Sequence, residues 1–283
     1  MKKNERERRK EWESSGDSKK KFTNPFRFTS LFKPMVYLLL FSLAYSAGWL
    51  YWTSHAPETL NPCLVSLPGC LMLSVYGLCL YFVCTLVWGK KRGTLSAKKA
   101  LSVWIVCLLA ALVCMYGLTP LSYAGGNAAL LILGAFCGLA FLFLVIPCLL
   151  FWFYAVYLGI EGFRDQFAFV ERCWKTGGMK ALNLWLIVFL LIWLWDSLMG
   201  GPLYSGSGFD APGICTSLFF MGEPGTYFVL LLMLGHGFNG DLLMLTAMQS
   251  LFLVFYACNT ISWIGQICKK TLEQPEGAER HES

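Results

Sequence analysis

Residues 100–160 read ALSVWIVCLLAALVCMYGLTPLSYAGGNAALLILGAFCGLAFLFLVIPCLLFWFYAVYLGI, 61 positions without an Asp, Glu, Lys or Arg. A bilayer-spanning helix needs about 20 apolar residues, so this run has room for two. Thr119-Pro120 and Gly125-Gly126-Asn127, all turn formers, divide it where a connection would fall. One span is therefore expected over 101–118 and another over 128–157, the second kinked at Pro147. Working outward, the 24 uncharged residues between Lys33 and Glu58 hold one span (34–54), and the 31 between Glu58 and Lys90 hold another (67–88). Two more follow, at 181–200 and 242–267. Composition agrees. Of the 283 residues 56% are hydrophobic and only 14% charged, against about 25% charged in a soluble domain. A water-soluble globule, a nucleic-acid module and a disulfide-stapled miniprotein are excluded by those numbers.

The cations orient the bundle. Lys and Arg number 11 in residues 1–33, five in 90–99, four in 164–180 and three from Lys269 onward, together all 23 in the chain. The intervening connections, 54–66, 119–127 and 201–225, contain none. Cations on alternate connections only are the positive-inside pattern. The expected fold is an all-α polytopic transmembrane bundle of six spans with N-terminus and C-terminus cytoplasmic. Residues 1–33 form a basic cytoplasmic tail, 34–268 the membrane domain and 269–283 a second tail. The first apolar run lies behind the basic tail without a small-residue cleavage site, so it reads as a retained anchor. Pro34 and Pro68 are placed at the starts of the first two spans.

Two segments lie beside the spans. Residues 161–176 mix Glu161, Arg164, Arg172 and Lys175 with Phe163, Phe167, Phe169 and Trp174 at helical spacing, which predicts an amphipathic helix along the inner surface. Gly177-Gly178 is expected to end it before the fifth span. Residues 227–268 are too long for one span and too short for two. A short helix in the outer leaflet at 227–234, broken at Gly235-His236-Gly237, keeps Lys269 and Lys270 inside.

Glu161-Gly162-Phe163, Ala168-Phe169, Arg172-Cys173-Trp174 and Gly177-Gly178 together resemble a cytoplasmic elbow of the six-span membrane-domain family found alongside glycerophosphodiester phosphodiesterases. Cys173 stands where that family has Ser, and Trp174 falls one position late. The resemblance implies a membrane module without the phosphodiesterase catalytic domain.

Ionisable groups within a bilayer are costly and are candidates for function. Asp196 lies near the outer end of the fifth span, and His236 and Asp241 at the outer break before the sixth. At headgroup level all three are ordinary. As a pair, Asp196 and Asp241 would share a proton as in an intramembrane hydrolase, and Gly237-Phe238-Asn239-Gly240-Asp241 faintly resembles the Gly-x-Gly-Asp motif of intramembrane aspartyl proteases, with Phe238 in place of its first glycine. His55, Glu58, Glu223, His236 and Asp241 offer only one short metal-ligand spacing, His55-x-x-Glu58, so no metal or other cofactor is expected. In the sixth span Gln249, Tyr256 and Thr260 share one helical face, and Asn259 and Gln266 form a neighbouring row. Such an arc faces the bundle interior, as a polar path or as glue between helices. Gly134-x-x-x-Gly138 is a small-residue ridge for packing.

Most of the twelve cysteines fall in spans as small apolar filler. Cys63, Cys70 and Cys215 are placed outside, where Cys63 has a possible disulfide partner in either of the others; Cys173 and Cys268 are placed in the cytoplasm as thiols. Lys19, Lys20, Lys21, Arg27 and Lys33, interleaved with Phe22, Phe26, Phe28 and Phe32, suit the anionic inner leaflet and not nucleic acid. The expected function is a non-catalytic accessory or assembly subunit of a membrane complex. The alternative is a small-molecule permease, in one version the membrane subunit of an ATP-driven exporter. There the 161–176 helix would be the coupling contact to a cytoplasmic ATPase, with Glu161, Arg164, Arg172 and Trp174 at its surface. The hydrolase is a distant third.

Overall fold

A computed structural model of the chain describes residues 28–55, 62–89, 96–113, 116, 144–198 and 240–273, with isolated positions between 129 and 140. The described residues form six helices and no strand: α1 (Phe28–His55), α2 (Pro62–Trp88), α3 (Ala97–Leu112), α4 (Ile146–Leu158), α5 (Phe163–Leu198) and α6 (Gly240–Glu273). The protein is all-helical there. Within α2, Leu67–Trp88 is a 22-residue stretch of mean hydropathy 2.2, long and apolar enough to cross a membrane, and half of it is buried. The apolar parts of α1 and α4, Leu31–Tyr45 and Ile146–Leu158, are shorter.

The helices begin differently from the proline-based expectation. Pro34 and Pro68 lie inside α1 and α2, which start about two turns earlier at Phe28 and Pro62. Lys33 is consequently an exposed residue of α1 and not part of a tail. The kink expected at Pro147 falls next to residues 141–143, which lie outside the described ones; Pro147 occupies the first turn of α4, and Leu144 and Val145 just before it are π-helical.

The largest correction concerns Gly177-Gly178. They do not end a helix, because α5 runs through them for 36 residues, or about 54 Å at 1.5 Å per residue. A surface helix followed by a separate span is therefore replaced by one rod. The glycines serve packing: a Cβ on Gly177 would run into the side chain of Ile267 on α6, and one on Gly178 would lie 2.7 Å from Trp174 Cδ2. Small residues at a crossing let two helices approach closely.

The core lies between α2, α4 and α6. Phe151, Phe153, Phe169, Leu73 and Leu80 are fully enclosed, and Tyr81 meets Phe153 edge-on with centroids 5.3 Å apart. Tyr45 and Tyr76 join α1 to α2 at 5.4 Å. Buried hydroxyls are satisfied within their own helices: Ser74 donates to Leu71 O, Thr260 to Tyr256 O and Thr271 to Ile267 O. Back-bonding of this kind lets a polar side chain sit in apolar surroundings without an interhelical partner.

Candidate functional site

The most constructed region is the end where α2, α4, α5 and α6 meet. Its hinge is the turn from α4 to α5. Gly159 ends α4 at φ 75°, a left-handed conformation that glycine adopts without steric cost, and Ile160 N–H closes back on Ala155 O at 3.1 Å. Gly162, at φ 90°, then turns the chain into α5. Gln166 locks the turn. Its Oε1 accepts from the Trp152 indole N–H at 2.7 Å, and its Nε2 donates to Ile160 O at 2.9 Å. Tyr154 of α4 stacks on Phe169 of α5 with centroids 6.4 Å apart and planes within 10°.

Two bonds tie this elbow to the rest. The Tyr157 hydroxyl donates to Gly89 O at 2.6 Å, and the Trp88 indole N–H donates to Ile261 O of α6 at 2.8 Å. Trp88 also meets Tyr154 edge-on at 4.9 Å. Lys99, whose helix is capped by the Ser96 hydroxyl, lies beside Gly159. The connections expected to be cytoplasmic thus begin or end at one pole of the molecule.

The sequence-predicted residues of the inner surface divide. Glu161, Arg164 and Arg172 are exposed, whereas Trp174 is half-buried against the core. Glu171 pairs with Lys175 at 2.8 Å one turn on, and that bond holds its carboxyl below the usual carboxylate range. Phe163 and Phe167 are 68% and 63% exposed, with centroids 6.0 Å apart. On the opposite face Cys173 is wholly buried and hydrogen-bonded to Cys268 of α6, which holds its thiol below the ordinary value. Cys173 and Cys268, expected as cytoplasmic thiols, are both enclosed by the α5–α6 contact. Cys70 is likewise a buried free thiol, its Sγ 3.9 Å from Ala111 O, and not an outer disulfide partner. Cys63 has no described side chain, and Cys215 lies outside the described residues.

Of the polar arc on α6, Asn259 and Thr260 are buried. The Asn259 amide donates to Phe255 O at 2.8 Å, and its Oδ1 is buried without a hydrogen-bond partner among the described residues. Gln266 is half-buried, and the side chain of Gln249 is not described. Asp196 stands two residues before the end of α5 and Asp241 in the first turn of α6. The two helices run antiparallel, since Gly177 meets Ile267 while Cys173 meets Cys268, so both aspartates belong to the pole opposite the elbow. His236, Lys19, Lys20, Lys21, Arg27, the 227–234 segment and Gly134-x-x-x-Gly138 lie wholly or partly outside the described residues, as do Glu58 and Glu223.

Sequence reasoning missed the Trp152–Gln166–Ile160 clamp and the Trp88 contact with α6. The signal for the second was Gly265, a glycine mid-helix opposite an interfacial tryptophan. No protein-family model matches the chain, and neither the curated proteins nor the solved structures hold a match to it.

Proposed function

We propose that the chain is a six-span integral membrane protein with both termini cytoplasmic, acting as a non-catalytic accessory or assembly subunit of a membrane complex. The observation that carries this reading is the confinement of all 23 cations to alternate connections. Its geometric counterpart is the gathering of Gly89, Lys99, Gly159 and the last turns of α6 at one pole. On this reading α5 overruns the hydrocarbon core, about 30 Å thick, and its inner third stands in the cytoplasm with Arg164 and Arg172 facing outward beside the exposed Glu161 of the preceding turn. That projecting, clamped elbow is a rigid contact surface, and the resemblance of residues 161–178 to the elbow of a phosphodiesterase-associated membrane domain belongs to the same proposal.

A scaffold packs its interior polar groups dry, as the back-bonded Ser74, Thr260 and Thr271 are packed. One observation favours the permease instead: Asn259 Oδ1 is buried with no hydrogen-bond partner among the described residues, as befits a group facing a hydrated path. Mild cross-linking in native membranes followed by capture of the tagged chain separates the two. Membrane proteins recovered in near-equal amount support the accessory subunit. A nucleotide-hydrolysing subunit supports the exporter, and a chain recovered alone refutes both readings that need partners.

A further inference from the structure

Between α5 and α6, just beyond the Gly177–Ile267 crossing, lies a cleft of about 380 Å³, within the roughly 300–1,000 Å³ of small-molecule sites. Its rim carries Lys180 and Lys270, its wall Asn183 and Gln266, and its floor Ile187 and Ile267. Among the described residues no carboxylate lines it. The chemistry is graded along the helix axes. On each helix the cation stands nearest the elbow pole and the amide about one turn further in, Lys180 before Asn183 and Lys270 before Gln266, with Ile187 two turns from Lys180. Lys180 precedes the fifth span by one residue and Lys270 follows the sixth by three, so the cationic end is level with the inner headgroups on the six-span reading.

We propose that this cleft is a binding site for one anionic phospholipid of the inner leaflet. The phosphate sits between Lys180 and Lys270, Asn183 and Gln266 donate to the phosphate or glycerol oxygens, and an acyl chain runs out along Ile187. A free phosphate would use the cations and leave the apolar floor exposed, which is why the lipid is the occupant. The inference rests on the six-span reading and goes beyond it by naming a site and its ligand class. Basic pockets between spans on the cytoplasmic side are suited to anionic headgroups, and each cation near such a surface changes binding about fivefold.

The test uses the full chain. Carbonate extraction comes first: release into the soluble fraction overturns the membrane reading and this proposal with it. Protein retained in the membrane is purified in detergent and examined by native mass spectrometry with phosphatidylglycerol, phosphatidylcholine or inorganic phosphate added. One phosphatidylglycerol per chain is expected, held about 30-fold less tightly by K180Q/K270Q and unchanged in K98Q/K99Q, which removes the same charge elsewhere. Ile187→Trp, which fills the floor and keeps both cations, should also lose the lipid, so the proposal stays testable if the double lysine variant does not fold. Equal binding by the two double variants, retention by Ile187→Trp, or displacement of the lipid by inorganic phosphate at comparable concentration each overturns the assignment while leaving the membrane reading intact.

Discussion

Replacing Gly265 with alanine places a methyl carbon 2.5 Å from Trp88 Cδ1 and 2.7 Å from its Nε1. Two effects oppose each other. Alanine is the better helix former by about 1 kcal/mol, so a Gly→Ala change in a free helix stabilises. Here the indole must withdraw. Overpacking costs about 1–3 kcal/mol, the Trp88–Ile261 hydrogen bond is worth about 1 kcal/mol, and the edge contact with Tyr154 another 0.5–1.5, roughly. The net expectation is a loss of about 2–4 kcal/mol. Unfolding of the purified chain in detergent, followed at a fixed scan rate, should then begin roughly 5–15 °C lower. The sign should reverse once the tryptophan is gone: in a Trp88→Leu background Gly265→Ala should be neutral or stabilising by up to about 1 kcal/mol. An unchanged midpoint in the wild-type background, or the same drop in both backgrounds, would falsify the packing argument.

The other predictions follow from the elbow, the thiols and the amide. Gln166→Leu removes the acceptor of the Trp152 indole and the donor to Ile160 O; a loss of about 2–3 kcal/mol and faster proteolysis at 159–163 are expected, and unchanged cleavage would show that the clamp is incidental. An impermeant maleimide should label Lys175→Cys, 61% exposed in the wild type, only after the membrane is opened. Cys173 should stay unlabelled until the protein is unfolded, despite its lowered thiol value, because no thiolate is accessible; labelling of Lys175→Cys from outside would invert the topology. Asn259→Leu fills the same space without an unsatisfied oxygen, so stability should hold or rise by about 1 kcal/mol; a loss above 2 kcal/mol, approximately, would mean that Oδ1 has a partner, such as water in a path.

How much of this was legible follows from the range of each interaction. Helix content and the positions of α2 and α6 could be read because apolar length and charge are local properties. Their ends could not be read to within a turn. Pro34 and Pro68 looked like starts, yet a helix tolerates an interior proline where other contacts hold it, as the Tyr45–Tyr76 contact joins α1 to α2. Gly177-Gly178 looked like a break because glycine is a poor helix former, and only the identity of the facing residue, Ile267, shows it to be a notch. Cys173 and Cys268 sit 95 positions apart, and nothing local marks them as neighbours. The same holds for Gln166, whose partners lie on two sides of a turn that has to form first. Of the candidate chemistry, the exposed charges at 161–172 were readable from periodicity, whereas the Lys180–Lys270 cleft depends on the antiparallel register of two helices and was not.

That register also brings several specific contacts together at the elbow pole. On the membrane reading, lipid tails are as apolar as Leu, so helices associate through close packing and interhelical hydrogen bonds and not through the hydrophobic effect. Two long-range side-chain hydrogen bonds, Trp88 to Ile261 and Tyr157 to Gly89, lie at this pole. So do the notches at Gly177 and Gly265 and the Trp152–Gln166 link. These five contacts join four pairs of segments: α2 to α6 twice, through the Trp88 hydrogen bond and the Gly265 notch, and α4 to the end of α2, α5 to α6, and α4 to α5 once each. The four links close a ring around the end of the bundle, and loosening any one leaves the others to hold the register. A single substitution there should therefore lower stability without scrambling the fold, whereas Gly265→Ala combined with Gln166→Leu, on opposite sides of that ring, should cost more than the two separate losses because both routes round the ring are then weakened and only the direct α4–α6 packing is left.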